Sequence, residues 1–155
     1  MTDHPGANVR RARVLAVLVP ALLLGGAYVS QYGFGLPPCE MCWWQRYPHF
    51  AALGIGLAAF WLKPAPVWTA LAGLAIITSG LIGGFHAGVE YGWWEGITGC
   101  AAPSSGVDLF DFAAAKLIRC DVAPWTLFGI SLAGFNFLIS TASGAAIVAL
   151  ASYRK

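Results

Sequence analysis

The chain has 155 residues, of which 58% are apolar and only 10% are charged. A soluble domain carries roughly 25% charged residues, so this chain has too few charges to cover the surface of a globule. Its net charge of +2 is too small to indicate a nucleic-acid-binding protein. The composition predicts a single integral membrane domain, residues 1–155, built from helices that lie in lipid.

Three long stretches without Asp, Glu, Lys or Arg mark predicted membrane spans. They are Val14–Cys39, Pro64–Val89 and Val122–Tyr153, of 26, 26 and 32 residues. Each is longer than the roughly 20 residues that a helix needs to cross a hydrocarbon core of about 30 Å. A fourth stretch, Tyr47–Leu62, has only 16 residues. It crosses the membrane only if its helix begins near Cys42.

These stretches predict an all-α fold, an integral membrane four-helix bundle. Its helices are expected at about residues 14–33, 42–62, 67–89 and 125–151. Short connections join the helices except for an outer loop of about residues 90–124. Within this loop, Asp108–Ile118 has the mixture of apolar and charged residues expected of a short helix on the bilayer surface. A plain loop packed on the bundle is the alternative.

The distribution of Lys and Arg predicts the orientation of the helices. Six of the nine lie on the side of the two termini and the Lys63–Pro66 turn, and three lie on the other side. Because cytoplasmic segments are enriched in Lys and Arg, both termini are expected in the cytoplasm, with residues 1–13 as a disordered tail. The seven tryptophans lie near the predicted span ends, as in aromatic belts: Trp43, Trp44, Trp61, Trp68, Trp93, Trp94 and Trp125.

A cleaved signal peptide is an alternative for the N-terminal segment, since Arg10–Arg13 precedes an apolar run. That run is longer than the roughly 7–15 residues of a signal-peptide core. Gly25–Ala27 is also a poor cleavage site. We therefore expect the segment to remain as the first helix.

The four cysteines lie at the outer ends of the predicted helices. Cys39 and Cys42 belong to the first outer loop, and Cys100 and Cys120 to the second. Cysteines that only filled space in a core would be scattered through the spans. An even number on an oxidising face indicates disulfide chemistry instead. A Cys-x-x-Cys pair closes too short a loop to stabilise the fold much, so Cys39 and Cys42 are predicted to be redox-active.

Arg46 stands four residues after Cys42, on the same face of the predicted second helix. The positive end of that helix and the Arg46 cation would both favour a Cys42 thiolate. An arginine so close to the hydrocarbon is costly, which indicates a functional role such as polarising a carbonyl of a bound acceptor. The alternative is that its side chain only extends to the lipid head groups.

Other uses of the Cys-x-x-Cys pair are less consistent with the sequence. A c-type haem needs His directly after the second cysteine, where Trp43 stands. A four-cysteine zinc site would favour two close pairs, whereas Cys100 and Cys120 are twenty residues apart. We therefore assign no metal site. Disulfides that only staple the outer loops of a structural membrane protein remain an alternative of another class.

Several motifs in chain order resemble the disulfide bond formation protein B (DsbB) family. Cys39–Cys42 with Arg46 is followed by Cys100 and Cys120 in one outer loop. The resemblance extends over nearly the whole chain and includes Gly84–Glu90, Pro124–Trp125 opening the last helix, and Ser131–Asn136.

The resemblance implies a quinone-dependent thiol–disulfide oxidoreductase of the bacterial inner membrane, with its cysteines facing the periplasm. Its partner would be a soluble, DsbA-like thioredoxin-fold oxidase, and its cofactor ubiquinone or menaquinone. By analogy, the resting disulfides are Cys39–Cys42 and Cys100–Cys120. The partner attacks Cys100, the released Cys120 attacks Cys39, and Cys42 becomes a thiolate beside the quinone. Arg46 matches the quinone-side arginine of the family.

The role of His86, near the outer end of the third helix, stays open at this stage. It could hydrogen-bond a quinone carbonyl, or it could make a hydrogen bond between helices inside the bundle. A helix–helix bond is the expectation for His49 and Asn136. A dedicated oxidase for one partner is a further alternative. A vitamin K epoxide reductase-like enzyme is disfavoured because its Cys-x-x-Cys pair would lie late in the chain.

Overall fold

The computed structural model describes residues 5–98 and 119–152. It has four long helices and one small hairpin of two strands. In chain order these are α1 (Pro5–Tyr28), a π-helical turn (Val29–Gly33), α2 (Glu40–Ala58), α3 (Ala65–Glu90), β1 (Thr126–Leu127), β2 (Ile130–Ser131) and α4 (Leu132–Ser152). Cys100 and the predicted surface helix Asp108–Ile118 lie outside the described residues.

The first helix is longer than the sequence predicted. We expected it to start near residue 14 after a disordered tail, but α1 begins at Pro5. Proline suits the first turn of a helix, where its missing N–H has no partner to lose. Ala12 is fully buried in the bundle core, and Arg13 donates a hydrogen bond to the Ala59 carbonyl at 3.4 Å. Arg13 therefore packs on the bundle while Arg10 and Arg11 are exposed, and the basic residues do not mark the start of the helix.

The second helix is shifted towards the N-terminus relative to the predicted 42–62. It begins at Glu40 and ends at Ala58. After Ala58 the chain forms a tighter turn, in which the Phe60 N–H donates a hydrogen bond to the Leu57 carbonyl, three residues back, at 3.0 Å. Pro64 disfavours helical geometry at Lys63, so α2 and α3 do not join into one helix. α3 agrees with the predicted 67–89 within two residues at each end.

The last helix begins at Leu132, seven residues later than predicted. Pro124–Trp125 does not open it, because a β-hairpin comes first and pairs Thr126 with Ser131. The turn residues Phe128 and Gly129 have φ values of 52° and 78°. Positive φ at both central positions is typical of the tightest hairpin turns, and glycine adopts it without strain. The fold is thus mostly helical rather than purely α.

Small residues allow α3 and α4 to pack closely. A Cβ atom on Gly80 would lie 2.8 Å from Thr141 Cγ2, and one on Gly144 would lie 2.7 Å from the Gly73 carbonyl oxygen. Side chains at these positions would force the helices apart. Glycine at such positions is a common means of close helix packing in membrane proteins.

Three helices in the described part of the chain are long and apolar enough to cross a membrane. They are Gly6–Gly33, Ala65–Glu90 and Leu132–Ser152. Large apolar side chains on their outer faces are exposed, such as Leu22 at 72% and Leu81 at 60%. Exposure of this extent is expected of surfaces that contact lipid. The fold therefore belongs to a membrane protein.

Candidate functional site

Cys39 and Cys42 meet at the N-terminus of α2. Cys39 is the N-cap residue, and its sulfur accepts a hydrogen bond from the Cys42 backbone N–H at 3.3 Å. A helix N-terminus leaves such N–H groups without partners, so the sulfur takes the place of the usual capping oxygen. Both are free thiols, and their Sγ atoms are 2.9 Å apart. The sequence thus places two reactive sulfurs together by local geometry alone.

The two thiols of this pair are not equivalent. The hydrogen bond from the Cys39 thiol to Cys42 Sγ raises the pKa of Cys39, and burial raises it further. Cys39 is therefore the sulfur of the reduced pair that gives up its proton less readily. Because the thiolate is the reactive form of cysteine, Cys42 is the sulfur prepared to react outside the pair.

Arg46 lies one helical turn beyond Cys42 and is almost completely buried. Its guanidinium lies between two rings, with its central carbon 4.9 Å from the centroid of Tyr28 and 4.8 Å from that of Trp43. It donates hydrogen bonds to Gln31 Oε1 at 2.7 Å and to the Ala27 carbonyl at 3.3 Å. Among the residues that the structure describes, no carboxylate lies within ion-pair distance of it. Stacking on rings suits arginine and holds the plane of the guanidinium fixed.

A cavity of about 260 Å³ opens beside Cys42 and Arg46. Apolar side chains from α1 and α4 form most of its wall, including Leu22 and Phe135. A small number of polar groups from α2 and α3 complete it: Gln45, His49, His86 and Glu90. An apolar wall with a few polar groups is typical of a site for a small organic molecule.

His86 connects this cavity to the other cysteine of the pair. Its Nε2 atom is 3.6 Å from Cys39 Sγ and 3.7 Å from Glu90 Oε1. Its Nδ1 atom is 2.9 Å from Gln45 Nε2. His86 therefore makes the helix–helix bond considered from sequence, and it also borders the cavity.

Cys120 brings the second outer loop to the same place. It is fully buried and packs in one cluster with Cys39, Met41 and Val89. Thr98 Oγ1 donates a hydrogen bond to Cys120 Sγ at 3.5 Å. The structure thus brings together five of the six predicted site residues: Cys39, Cys42, Arg46, His86 and Cys120. The sixth, Cys100, lies outside the described residues.

Two polar residues of the site were not singled out from the sequence. Gln45 links α2 to α3 and α4, and Asn136 Nδ2 donates to its Oε1 atom at 2.9 Å. Glu90 was named only as the end of the Gly84–Glu90 motif, yet its side chain is buried and its Oε2 atom has no partner among the described residues. Two features of the sequence could have indicated these residues. Glu90 lies four residues after His86, and Gln45 lies directly before Arg46. His49 bonds to Asn136 Oδ1 at 3.0 Å, as expected for a helix–helix contact.

The side chains of Cys39, Cys42 and His86 also satisfy the distance requirement of a metal site. Their ligand atoms lie within 4.8 Å of one another. A zinc ion at this place would need a fourth ligand and a lone pair on the histidine nitrogen that faces the sulfurs. The protonation of His86 therefore decides whether these groups act as metal ligands or as a thiol site.

These features define a class of protein, a membrane-embedded helical oxidoreductase with a dithiol beside a cavity. The family model described as "Disulfide bond formation protein DsbB" matches residues 9–150. The chain belongs to this DsbB family, as its motifs suggested. Family membership implies that it generates disulfide bonds.

Curated relatives agree with this assignment. The chain is 30% identical over 147 residues to Disulfide bond formation protein B 2 of Pseudomonas syringae, covering 87% of this chain and 83% of the relative. It is 32% identical over 126 residues to Disulfide bond formation protein B of Chromohalobacter salexigens, covering 80% and 72%. It is 31% identical over 153 residues to the protein of that name from Verminephrobacter eiseniae, covering 89% and 84%. No solved structure matches the chain significantly.

Proposed function

We propose that this protein reoxidises a soluble, DsbA-like thioredoxin-fold oxidase and passes the electrons to membrane quinone, either ubiquinone or menaquinone. One observation carries the proposal. Cys42, the hydrogen-bond acceptor of the cysteine pair, borders the same apolar cavity as the buried Arg46. Disulfides that only stapled the outer loops would need neither the cavity nor the arginine.

The proposed exchange passes through the four cysteines in sequence. A thiolate of the partner attacks Cys100 of a Cys100–Cys120 disulfide, and the electron pair of the broken bond goes to Cys120. The Cys120 thiolate attacks Cys39 of a Cys39–Cys42 disulfide, and Cys42 leaves as a thiolate. The second thiol of the partner then breaks the mixed disulfide, so that the partner leaves oxidised. Burial of Cys120 in one cluster with Cys39 supports the middle step.

The residues around the cavity fit a quinone. A quinone supplies an acceptor for two electrons and two protons, and its ring is flat and apolar with two carbonyl oxygens. The apolar wall suits the ring, and the guanidinium N–H groups suit a carbonyl oxygen. Arg46 would also hold the Cys42 thiolate by its charge. Only 6% of Arg46 is exposed, which favours this role over extension to the lipid head groups.

We propose that α2 is a fourth span. Its 19 residues give a length of about 28 Å, close to the thickness of a hydrocarbon core. Its polar residues Gln45, Arg46 and His49 are buried inside the bundle. They lower the average hydropathy of the helix without exposing polar groups to lipid. With the Lys and Arg distribution, four spans put both termini in the cytoplasm and the cysteines in the periplasm, in the bacterial inner membrane.

This orientation predicts opposite labelling of two exposed positions, Glu95 beyond α3 and Lys63 between α2 and α3. A membrane-impermeant maleimide should label Glu95→Cys in intact spheroplasts and should label Lys63→Cys only after permeabilisation. The unsubstituted chain, kept oxidised, measures the background from its own cysteines. The reverse pattern of labelling would show that the orientation is inverted. Labelling of both positions from outside would remove one span.

The function itself is tested by quinone reduction with purified protein and a reduced thioredoxin-fold oxidase. We expect the quinone absorbance and the free thiols of the partner to decrease together.

A further inference from the structure

We propose that Gln45 is a positioning residue. It holds His86 in the neutral form that carries its proton on Nε2, which makes His86 a hydrogen-bond donor to the Cys39 sulfur. This inference rests on the proposed exchange reaction for its purpose, but the contacts that carry it do not depend on any partner or quinone.

The orientation of the Gln45 side-chain amide follows from two contacts. Its Nε2 atom lies 3.1 Å from the Met41 carbonyl oxygen, which can only accept. Its Oε1 atom lies 2.9 Å from Asn136 Nδ2, which can only donate. In the opposite orientation, Gln45 Oε1 would face the Met41 carbonyl oxygen and Gln45 Nε2 would face Asn136 Nδ2. Neither contact could then be a hydrogen bond. Gln45 Nε2 is therefore the donor on the side of the amide that faces Met41.

Asn136 is oriented independently, so the two amides cannot reverse together. Its Oδ1 atom accepts a hydrogen bond from the Ser140 hydroxyl at 2.7 Å. Its Nδ2 atom donates to the Ser79 carbonyl at 3.1 Å. Since that carbonyl oxygen cannot donate, the amide nitrogen must face α3. The orientation of the Gln45 amide is therefore fixed by backbone carbonyl groups at both ends of this hydrogen-bonded network, those of Met41 and Ser79.

The protonation of His86 follows from the orientation of Gln45. Gln45 Nε2 is 2.9 Å from His86 Nδ1 and can only donate, so Nδ1 must accept. A neutral imidazole whose Nδ1 accepts carries its proton on Nε2. Nε2 is the atom near Cys39 Sγ at 3.6 Å and Glu90 Oε1 at 3.7 Å, both of which are acceptors. In this form His86 has no lone pair to offer a metal ion at the sulfurs.

A neutral donor at Cys39 assists one step of the proposed reaction. When the Cys100 thiolate attacks Cys120 of a Cys39–Cys120 disulfide, a Cys100–Cys120 bond forms and the electron pair goes to Cys39. Cys39 is then a buried thiolate until the Cys39–Cys42 disulfide re-forms, a step in which the two electrons of the pair pass to the quinone. The Nε2–H group of His86 stabilises this charge by a hydrogen bond, and no proton is transferred. A lone pair at the same place would repel the thiolate.

The direct test is nitrogen NMR of reduced protein labelled with ¹⁵N-histidine, in micelles without quinone or partner. We expect His86 to be neutral and protonated on Nε2, and Gln45→Leu to shift it towards a mixture of the two neutral forms. His49 serves as an internal control, because its Nε2 atom bonds to Asn136 rather than to Gln45. A wild-type His86 protonated on Nδ1, or charged at neutral pH, would overturn the proposal. The wild-type spectrum decides this even if Gln45→Leu does not fold.

A second readout concerns the reactivity of Cys39 itself. In a chain that keeps Cys39 as its only cysteine, Gln45→Leu should slow alkylation by iodoacetamide near pH 8 roughly tenfold, the effect of a lost hydrogen bond to a charged group. Thr78→Val removes a hydrogen bond that Thr78 makes within α3, away from the site, and should leave the rate unchanged. Equal rates in all three chains would contradict the role of Gln45. Failure of quinone reduction would leave both readouts as they are, so the two proposals are tested separately.

Discussion

Replacing Cys42 with serine is expected to lower quinone-coupled turnover by roughly 10⁴-fold or more, the scale on which enzymes lose activity when a reacting nucleophile is removed. Cys42 is the sulfur of the pair that borders the cavity, and in the reduced pair it accepts the hydrogen bond of the Cys39 thiol. A hydroxyl at this position cannot form a disulfide with Cys39. The measurement is steady-state quinone reduction by the purified variant with excess reduced partner.

The first exchange step should survive in the Cys42→Ser variant. Cys100 and Cys120 belong to another loop, so a single addition of reduced partner should still break their disulfide, and acid-trapped peptides should show the mixed product. Met41→Leu is the matched control, since it changes a buried neighbour to a side chain of similar volume. It should keep nearly full turnover. Turnover retained in Cys42→Ser would mean that another cysteine delivers the electrons to the quinone.

The second large effect is expected from Arg46→Met. Loss of a hydrogen bond to a charged group costs about 1.5–3 kcal/mol, so kcat/KM for quinone should fall roughly ten- to a hundredfold. Exchange between the partner and the Cys100–Cys120 pair should continue. Arg46→Lys should recover only part of the loss, because lysine cannot stack flat between Tyr28 and Trp43 or form the bonds of a guanidinium to Gln31 and Ala27. The measurement is kinetics against quinone concentration, corrected for the folded fraction.

Arg13 offers a matched control for Arg46. It also lies over an aromatic ring, 5.1 Å from the centroid of Phe60, and donates to a backbone carbonyl, that of Ala59. It contacts the opposite end of α2, away from the cysteines. Arg13→Met should lower stability without changing the kinetics per folded molecule. If Arg46→Met behaves in the same way, Arg46 is a structural residue and the site consists of the cysteines alone.

The parts of the site that could be predicted from sequence are those with short-range signals. Cys39, Cys42 and Arg46 lie within eight residues, so their common position at one helix end follows from helical spacing. Long charge-free stretches likewise placed α3 within two residues of its observed ends. Such signals depend on composition and period, which are properties of a single segment.

The features that sequence could not provide depend on contacts between segments. Gln45 lies 91 residues from Asn136, its partner, and does not look unusual until α2, α3 and α4 pack together. Glu90 resembles an ordinary loop acid until α3 carries it into the bundle beside His86. The late start of α4 depends on a turn in which Phe128 takes a positive φ, which the phenylalanine itself does not favour. α1 includes residues before Val14 because Ala12 packs in the bundle core.

The most direct measurement for the whole account follows quinone and thiols in the same sample, without oxygen. Purified protein, a reduced thioredoxin-fold oxidase and a short-chain quinone are mixed, and the quinone absorbance and the free thiols of the partner are recorded together. We expect one quinone to disappear for each dithiol oxidised, and Cys42→Ser to stop both changes during turnover. Oxidation of the partner without loss of quinone, or no oxidation beyond one exchange with the protein's own disulfides, would contradict it.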